Sequence, residues 1–256
     1  MSTLDIHQIA VLSDNYIYLV RCRATGACAV IDPSLAEPVL AAAESLGWTI
    51  THILNTHHHY DHTGGNEEIK AATGCEIIGF AGDAHRLPGI DRTVVEGDRV
   101  AIGQAEARVI ETPGHTLGHI AYWFAESSAL FCGDTLFSAG CGRLFEGSAG
   151  QMWDSLRKLR ALPAQTLVFC GHEYTQPNVT FALTIDPRNE ALRARALEVD
   201  ALRAAGRPTV PAFLGDEARS NPFLRADSAD FQEAFGMTGA DPVEVFARTR
   251  LKKDHF

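Results

Sequence analysis

Thr56-His57-His58-His59-Tyr60-Asp61-His62 is the stretch on which the fold and the chemistry turn. It offers three imidazoles at His57, His59 and His62, and one carboxylate at Asp61. That donor set suits zinc, iron or manganese better than calcium or magnesium, which favour oxygen ligands. In extended backbone His57 and His59 project the same way. Adjacent Asp61 and His62 project apart and are not expected to chelate as that first pair does. One segment can therefore present two donors to one ion and two to another. Its flanks separate it from a terminal tag or a chance His-rich loop. Ile50–Leu54 ahead of it reads as a strand, and Gly64-Gly65 leads into a helix-like run from Asn66.

Upstream, three β-rich runs, Ile6–Leu12, Tyr16–Arg21 and Ala27–Ile31, are broken by Ser13-Asp14-Asn15 and Thr25-Gly26. Asp32-Pro33-Ser34 ends the third, and a helix is expected from about Ala36 to Leu46. Downstream, Glu67–Thr73 and Met152–Ala161 read as helices. Strands are expected near 75–80, 93–95, 100–102, 107–111, 119–124, 130–132 and 167–170. After Glu173 the strand signal fades. Asn189–Ala205, Ala229–Phe235 and Pro242–Lys253 read as helices, the last opened by an acidic cap at Asp241 and a proline at the first position. A boundary is expected near residue 173.

The remaining metal donors follow one rule. Ala107–Ile110 leads into Thr112-Pro113-Gly114-His115, Leu130–Cys132 into Gly133-Asp134, and Leu167–Cys170 into Gly171-His172. Each apolar run ends in a glycine turn followed by a donor, and layered α/β proteins bind ligands beyond the carboxyl ends of strands. Any one of these residues alone reads as a cap or a buried hydrogen-bonded side chain. Together they make seven donors: His57, His59, Asp61, His62, His115, Asp134 and His172. Seven are too many for one tetrahedral ion and fit two ions if a carboxylate is shared. Asp134 is the natural bridge, with His57, His59 and His115 on one ion and Asp61, His62 and His172 on the other. Of the other histidines, His119 is the best candidate to orient a ligand.

With 256 residues, 46% of them hydrophobic and 21% charged, the chain can bury a substantial core. A net charge of −10 disfavours nucleic acid and anionic membranes as partners. No signal peptide and no apolar run of membrane-spanning length is expected. The six cysteines include no C-x-x-C pair and fit reduced, buried thiols in the cytoplasm.

T-H-H-H-Y-D-H, T-P-G-H, G-D and G-H-E-Y together resemble the metallo-β-lactamase superfamily, and with the helical C-terminal stretch the chain is similar to the glyoxalase II (hydroxyacylglutathione hydrolase) family within it. The resemblance implies an α+β fold. A four-layer αββα metallo-β-lactamase-type sandwich over residues 1–173 would carry an all-helical, glutathione-binding domain over 174–256. It implies a monomeric thioester hydrolase that uses two divalent ions, zinc foremost, with iron or manganese as alternatives. The ions would stand about 3.5 Å apart with a hydroxide between them. The reaction would convert S-D-lactoylglutathione to glutathione and D-lactate, the last step of methylglyoxal detoxification. Asp61 and Asp134 would then be catalytic as well as ligating. Glutathione contacts would fall on Arg143, Phe145, Tyr174, Arg250 and Lys253. Arg143 and Phe145 stand where the family usually has lysine and tyrosine, so the charge is kept and a hydroxyl is lost. A persulfide dioxygenase with a single iron is the alternative, and it would have no use for His172.

Overall fold

The computed structural model describes residues 3–256, which divide into two compact units. Among the described residues the first comprises 3–111 and Gly118–Gly133, and the second Thr112–Leu117 and Asp134–Phe256.

In the first unit, β1 (Leu4–Val11), β2 (Asn15–Cys22), β3 (Cys28–Ile31), β4 (Ile50–Leu54), β5 (Glu76–Phe80) and β6 (Arg92–Val94) form one sheet in that order. The first three strands are antiparallel, and β3 to β6 are parallel. Helices α1 (Ala36–Leu46) and α3 (Asn66–Thr73) supply the crossovers, while α2 (Tyr60–Thr63) is one turn inside the second crossover. Val39 and Ala43 of α1 and Ile69 of α3 pack with Ile17, Leu19, Val30, Ile53 and Ile77 of the strands. Both faces of the sheet are covered, so an inner strand such as β3 is apolar and buried along its length instead of alternating.

A second antiparallel run, β7 (Arg99–Ile102), β8 (Ala105–Glu111), β9 (Ile120–Phe124) and β10 (Ala129–Gly133), faces the first sheet. Tyr18 of β2 meets Phe131 of β10 with ring centroids 5.5 Å apart, and the Tyr122 hydroxyl of β9 donates to the Asn55 carbonyl just past β4. The parallel arrangement of β3 and β4 brings Asp32 and Thr56-His57 out at the same edge of the sheet.

The second unit contains the hairpin β11 (Leu136–Phe137) and β12 (Gly140–Cys141), then α4 (Ala149–Arg160), β13 (Leu167–Cys170), α5 (Thr175–Ile185), α6 (Glu190–Ala204), β14 (Ala212–Phe213), α7 (Leu214–Ser220), α8 (Ala229–Ala234) and α9 (Pro242–Asp254). Ser148 and Gln151 close a capping box on α4, and Asp241 caps α9 by accepting from the Val243 N–H. The largely helical C-terminal part carries one two-residue strand, β14, which extends β13 antiparallel. The compact second unit starts before residue 173 because the stretch after Asp134 bonds to the C-terminal helices: Asn178, Glu217, Asn221 and Arg250 all hold residues 137–141.

Candidate metal centre

Each unit gathers its own share of the donors. In the first, the His57 and His59 rings lie 4.8 Å apart at 75°, and His57 and His62 lie 4.2 Å apart. Asp61 and His62 also meet, with Asp61 Oδ2 3.5 Å from His62 Nε2. This corrects the expectation that adjacent positions point apart. Residues 60–63 form a helical turn, not extended chain, and there consecutive side chains are about 100° apart. His58 turns out of the cluster, its Nδ1 2.9 Å from Asp83 and its Nε2 against Arg86.

Sequence reasoning passed over Asp32, which organises this half. Buried and at φ 49°, it accepts from the Thr56 N–H (2.7 Å), from Thr56 Oγ1 (2.6 Å) and from His62 Nδ1 (3.2 Å). Because Thr56 Oγ1 spends its proton on Asp32, it can only accept from His57 Nδ1, 3.1 Å away. Both His57 and His62 are thereby protonated at Nδ1, and the Nε2 lone pairs are left for a metal. Asp32, His57 and His62 lie close enough to share an ion. Three donors already stand on its oxygens, which places Asp32 to orient these groups. Asn15, also missed, donates to both the carbonyl and Oδ2 of Asp61. His119, expected to orient a ligand, is stacked on His57 at 4.7 Å and 19°. Gly133, at φ 45°, is required here: a Cβ would strike Thr56 Oγ1 and His119.

In the second unit, His115 Nδ1 donates to the Arg143 carbonyl (2.9 Å), which fixes the same tautomer, and its Nε2 faces Asp134 Oδ2 at 3.6 Å. His172 Nε2 approaches the same oxygen at 3.3 Å, and its ring lies flat on Tyr174 at 4.7 Å. Two imidazole nitrogens thus converge on one carboxylate. Gly142 permits this packing, since a Cβ there would overlap the Asp134 carbonyl and crowd His115. The nearby thiols are not nucleophiles: burial pushes Cys141 up to about 11 and Cys170 up to about 12.

The residues expected to contact substrate all lie in the second unit. Arg143 is exposed, Tyr174 is half-buried, and Phe145 is 64% exposed and edge-on to His115 at 5.2 Å. Lys253 donates to the Pro177 carbonyl and sits over the rings of Phe181 and Phe256. Its ammonium is pulled down to about 8, first by burial and then by the Arg250 and Arg143 charges. Arg250 is only 5% exposed. Its guanidinium donates to the Cys141 carbonyl and Asp254 and stacks over Phe223.

The donor set, imidazole nitrogen with carboxylate oxygen, fits borderline divalent cations. The class is given by comparison: residues 12–172 match the metallo-β-lactamase superfamily. Residues 173–256 match the hydroxyacylglutathione hydrolase C-terminus. The chain is 56% identical to a hydroxyacylglutathione hydrolase of Methylococcus capsulatus and 51% identical to one of Cereibacter sphaeroides, each covering 99% of both chains. It belongs to the hydroxyacylglutathione hydrolase family, the glyoxalase II branch of that superfamily. Among solved structures it is similar to ETHE1 from Myxococcus xanthus, with a TM-score of 0.68 and 26% identity over 98% of this chain and 100% of that one. The B3 metallo-β-lactamase BLEG-1 shares the fold, with a TM-score of 0.67 and 22% identity over 86% of this chain and 99% of that one.

Proposed function

We propose that this chain hydrolyses S-D-lactoylglutathione and related S-acylglutathiones to glutathione and the hydroxy acid. The observation that carries the reading is the approach of His115 Nε2 and His172 Nε2 to a single oxygen of Asp134, in a chain whose full-length relatives are hydroxyacylglutathione hydrolases. One divalent ion is assigned to His57, His59 and His115, a second to Asp61, His62 and His172, and Asp134 is shared. Zinc is the first choice, with iron or manganese accepted by the same donors. Bound there, the pair would supply Lewis acidity toward the thioester carbonyl and activation of water near neutral pH. The protein's own part is to fix the imidazole tautomers through Thr56, Asp32 and the Arg143 carbonyl. Asp61, held by Asn15, is positioned to orient the attacking water. A thiolate leaves without strong acid assistance, which accords with the absence of a nucleophilic cysteine from the scheme. The single-iron persulfide dioxygenase has less support, because it gives His172 no task.

The functional division is placed near residue 173, with 1–173 catalytic and 174–256 binding glutathione. A monomer acting in the cytoplasm is proposed. Among the described residues no helix is long and apolar enough to cross a membrane. The test is a turnover assay on S-lactoylglutathione beside a β-lactam and a persulfide, with elemental analysis. Release of one thiol per thioester and near two metal ions per chain are expected; oxygen uptake on the persulfide with one iron would overturn the reading.

Arg143, Phe145, Tyr174 and Lys253 are assigned to the glutathione moiety. Arg250 contributes charge from behind, where it also depresses Lys253. Two arginines and a half-buried lysine crowd together because a substrate carboxylate belongs among them. Lys253→Met is expected to raise KM about 10- to 100-fold, the worth of one charged hydrogen bond, with kcat changed far less. A Lys253 that titrates near 8 loses its charge as pH rises, so kcat/KM should fall above that pH in the parent and flatten in the variant. A fall in kcat at constant KM would contradict the assignment.

A further inference from the structure

The two-residue strands of β11 and β12 are too short to hold their own register, yet they link Asp134 to Arg143. The tip, Ser138-Ala139, contains Ala139 at φ 54°, a left-handed conformation that a residue with a Cβ adopts only under constraint. That constraint comes from one buried carboxylate. Glu217 of α7 is 1% exposed. It accepts from Ser138 Oγ at 2.7 Å, from the Ala139 N–H at 2.7 Å and from Asn221 Nδ2 at 3.1 Å. The same Asn221 amide donates to the Phe137 and Gly140 carbonyls, Asn178 donates to the Ser138 carbonyl, and Arg195 donates to Ser138 Oγ. Every one of these partners is a donor, so the ionised form of Glu217 is the one that fits, even though burial raises its pKa.

The hairpin carries this clamp toward the site. Phe137 is edge-on to Tyr174 at 5.3 Å and to His172 at 5.9 Å. Cys141, at the other end of the hairpin, takes the Arg250 guanidinium on its carbonyl, and Gly142 leads directly to Arg143, whose carbonyl fixes His115.

We propose that Glu217 is a positioning residue for substrate binding: it locks the β11–β12 hairpin, and through it the placement of Arg143 and of the Phe137–Tyr174–His172 stack. The claim rests on the glutathione reading for Arg143 and Tyr174. Glu217→Gln keeps the shape but turns an amide donor toward donors. It is expected to speed amide hydrogen exchange over residues 136–142 and to raise KM for S-lactoylglutathione about tenfold, because small misplacements of binding groups are costly. kcat should move less. A merely structural role would lower the melting temperature and leave the KM of the folded enzyme alone. Ser138→Ala, which removes one donor and leaves the carboxylate, should shift both readouts the same way by a smaller factor and serves if the first variant does not fold. Folded variants with parental KM and parental exchange at 136–142 overturn the proposal. If the parent itself fails to turn over the thioester, the functional reading falls. The exchange measurement needs no substrate, and in that case unchanged exchange at 136–142 overturns the clamp while faster exchange upholds it.

Discussion

His57→Ala is expected to abolish turnover and to lower bound metal from near two ions per chain to one or fewer. Three features make this position costly. His57 is buried, stacked on His119, and held by a Thr56–Asp32 chain that commits its Nε2 to a ligand. Alanine removes that nitrogen and leaves Thr56 Oγ1 without its imidazole donor. Loss of the nitrogen should cost at least about 10³ in kcat/KM, roughly 4 kcal/mol of transition-state stabilisation. The fold should survive, since the packing of α1 and α3 on the first sheet does not involve this side chain. Elemental analysis of the purified variant, far-ultraviolet circular dichroism and the thioester assay decide it together. A folded variant with two ions and parental turnover would remove His57 from the site.

Besides the His57–His62 cluster, the candidate donors legible in sequence share one local signature: an apolar strand, a glycine turn, then a histidine or aspartate. His115, Asp134 and His172 all carry that signature, and β8, β10 and β13 end just before them. Asp32 obeys half the rule, since it follows β3 directly. Its turn has no glycine, however, and its role depends on Thr56 and His62, which are 24 and 30 positions away. Nothing local announces such a role. The Asp61–His62 contact was missed for a different reason: a four-residue helical turn is too short to show a 3.6 period. The same holds for β11 and β12, whose two-residue strands are set by side chains from α5, α6 and α7 and have no pattern of their own. Arg250 illustrates the limit of reading charge from spacing. It shares a helix face with Lys253, but α9 also turns Val245, Phe246 and Thr249 inward, and Arg250 goes in with them. Charge was therefore readable, and exposure was not.

Asp32 separates stability from metal binding when two substitutions are compared. Asp32→Ala leaves the Thr56 N–H, the Thr56 hydroxyl and His62 Nδ1–H inside the protein without an acceptor. Breaking a buried charged network by removing one partner costs about 3–5 kcal/mol. For a chain of this size that lowers the melting temperature by roughly 10 °C. Asp32→Asn is nearly isosteric and retains one oxygen to accept from the Thr56 N–H, so it should lose much less stability. Its amide nitrogen, however, presents protons where Thr56 Oγ1–H and His62 Nδ1–H also present theirs. The conflict is relieved if His62 moves its proton from Nδ1 to Nε2, the nitrogen assigned to the metal. The expected result is a folded Asp32→Asn enzyme whose ion at the site assigned to Asp61, His62 and His172 dissociates 10- to 100-fold more readily, about the loss found when an outer-shell partner of a ligand is removed. Competition with a chelator, followed ion by ion, measures that affinity apart from turnover, and thermal melting of the metal-free forms measures the stability. Parental metal affinity in Asp32→Asn would mean that the carboxylate serves only the fold, and that the tautomer of His62 is set by something other than its contact with Asp32.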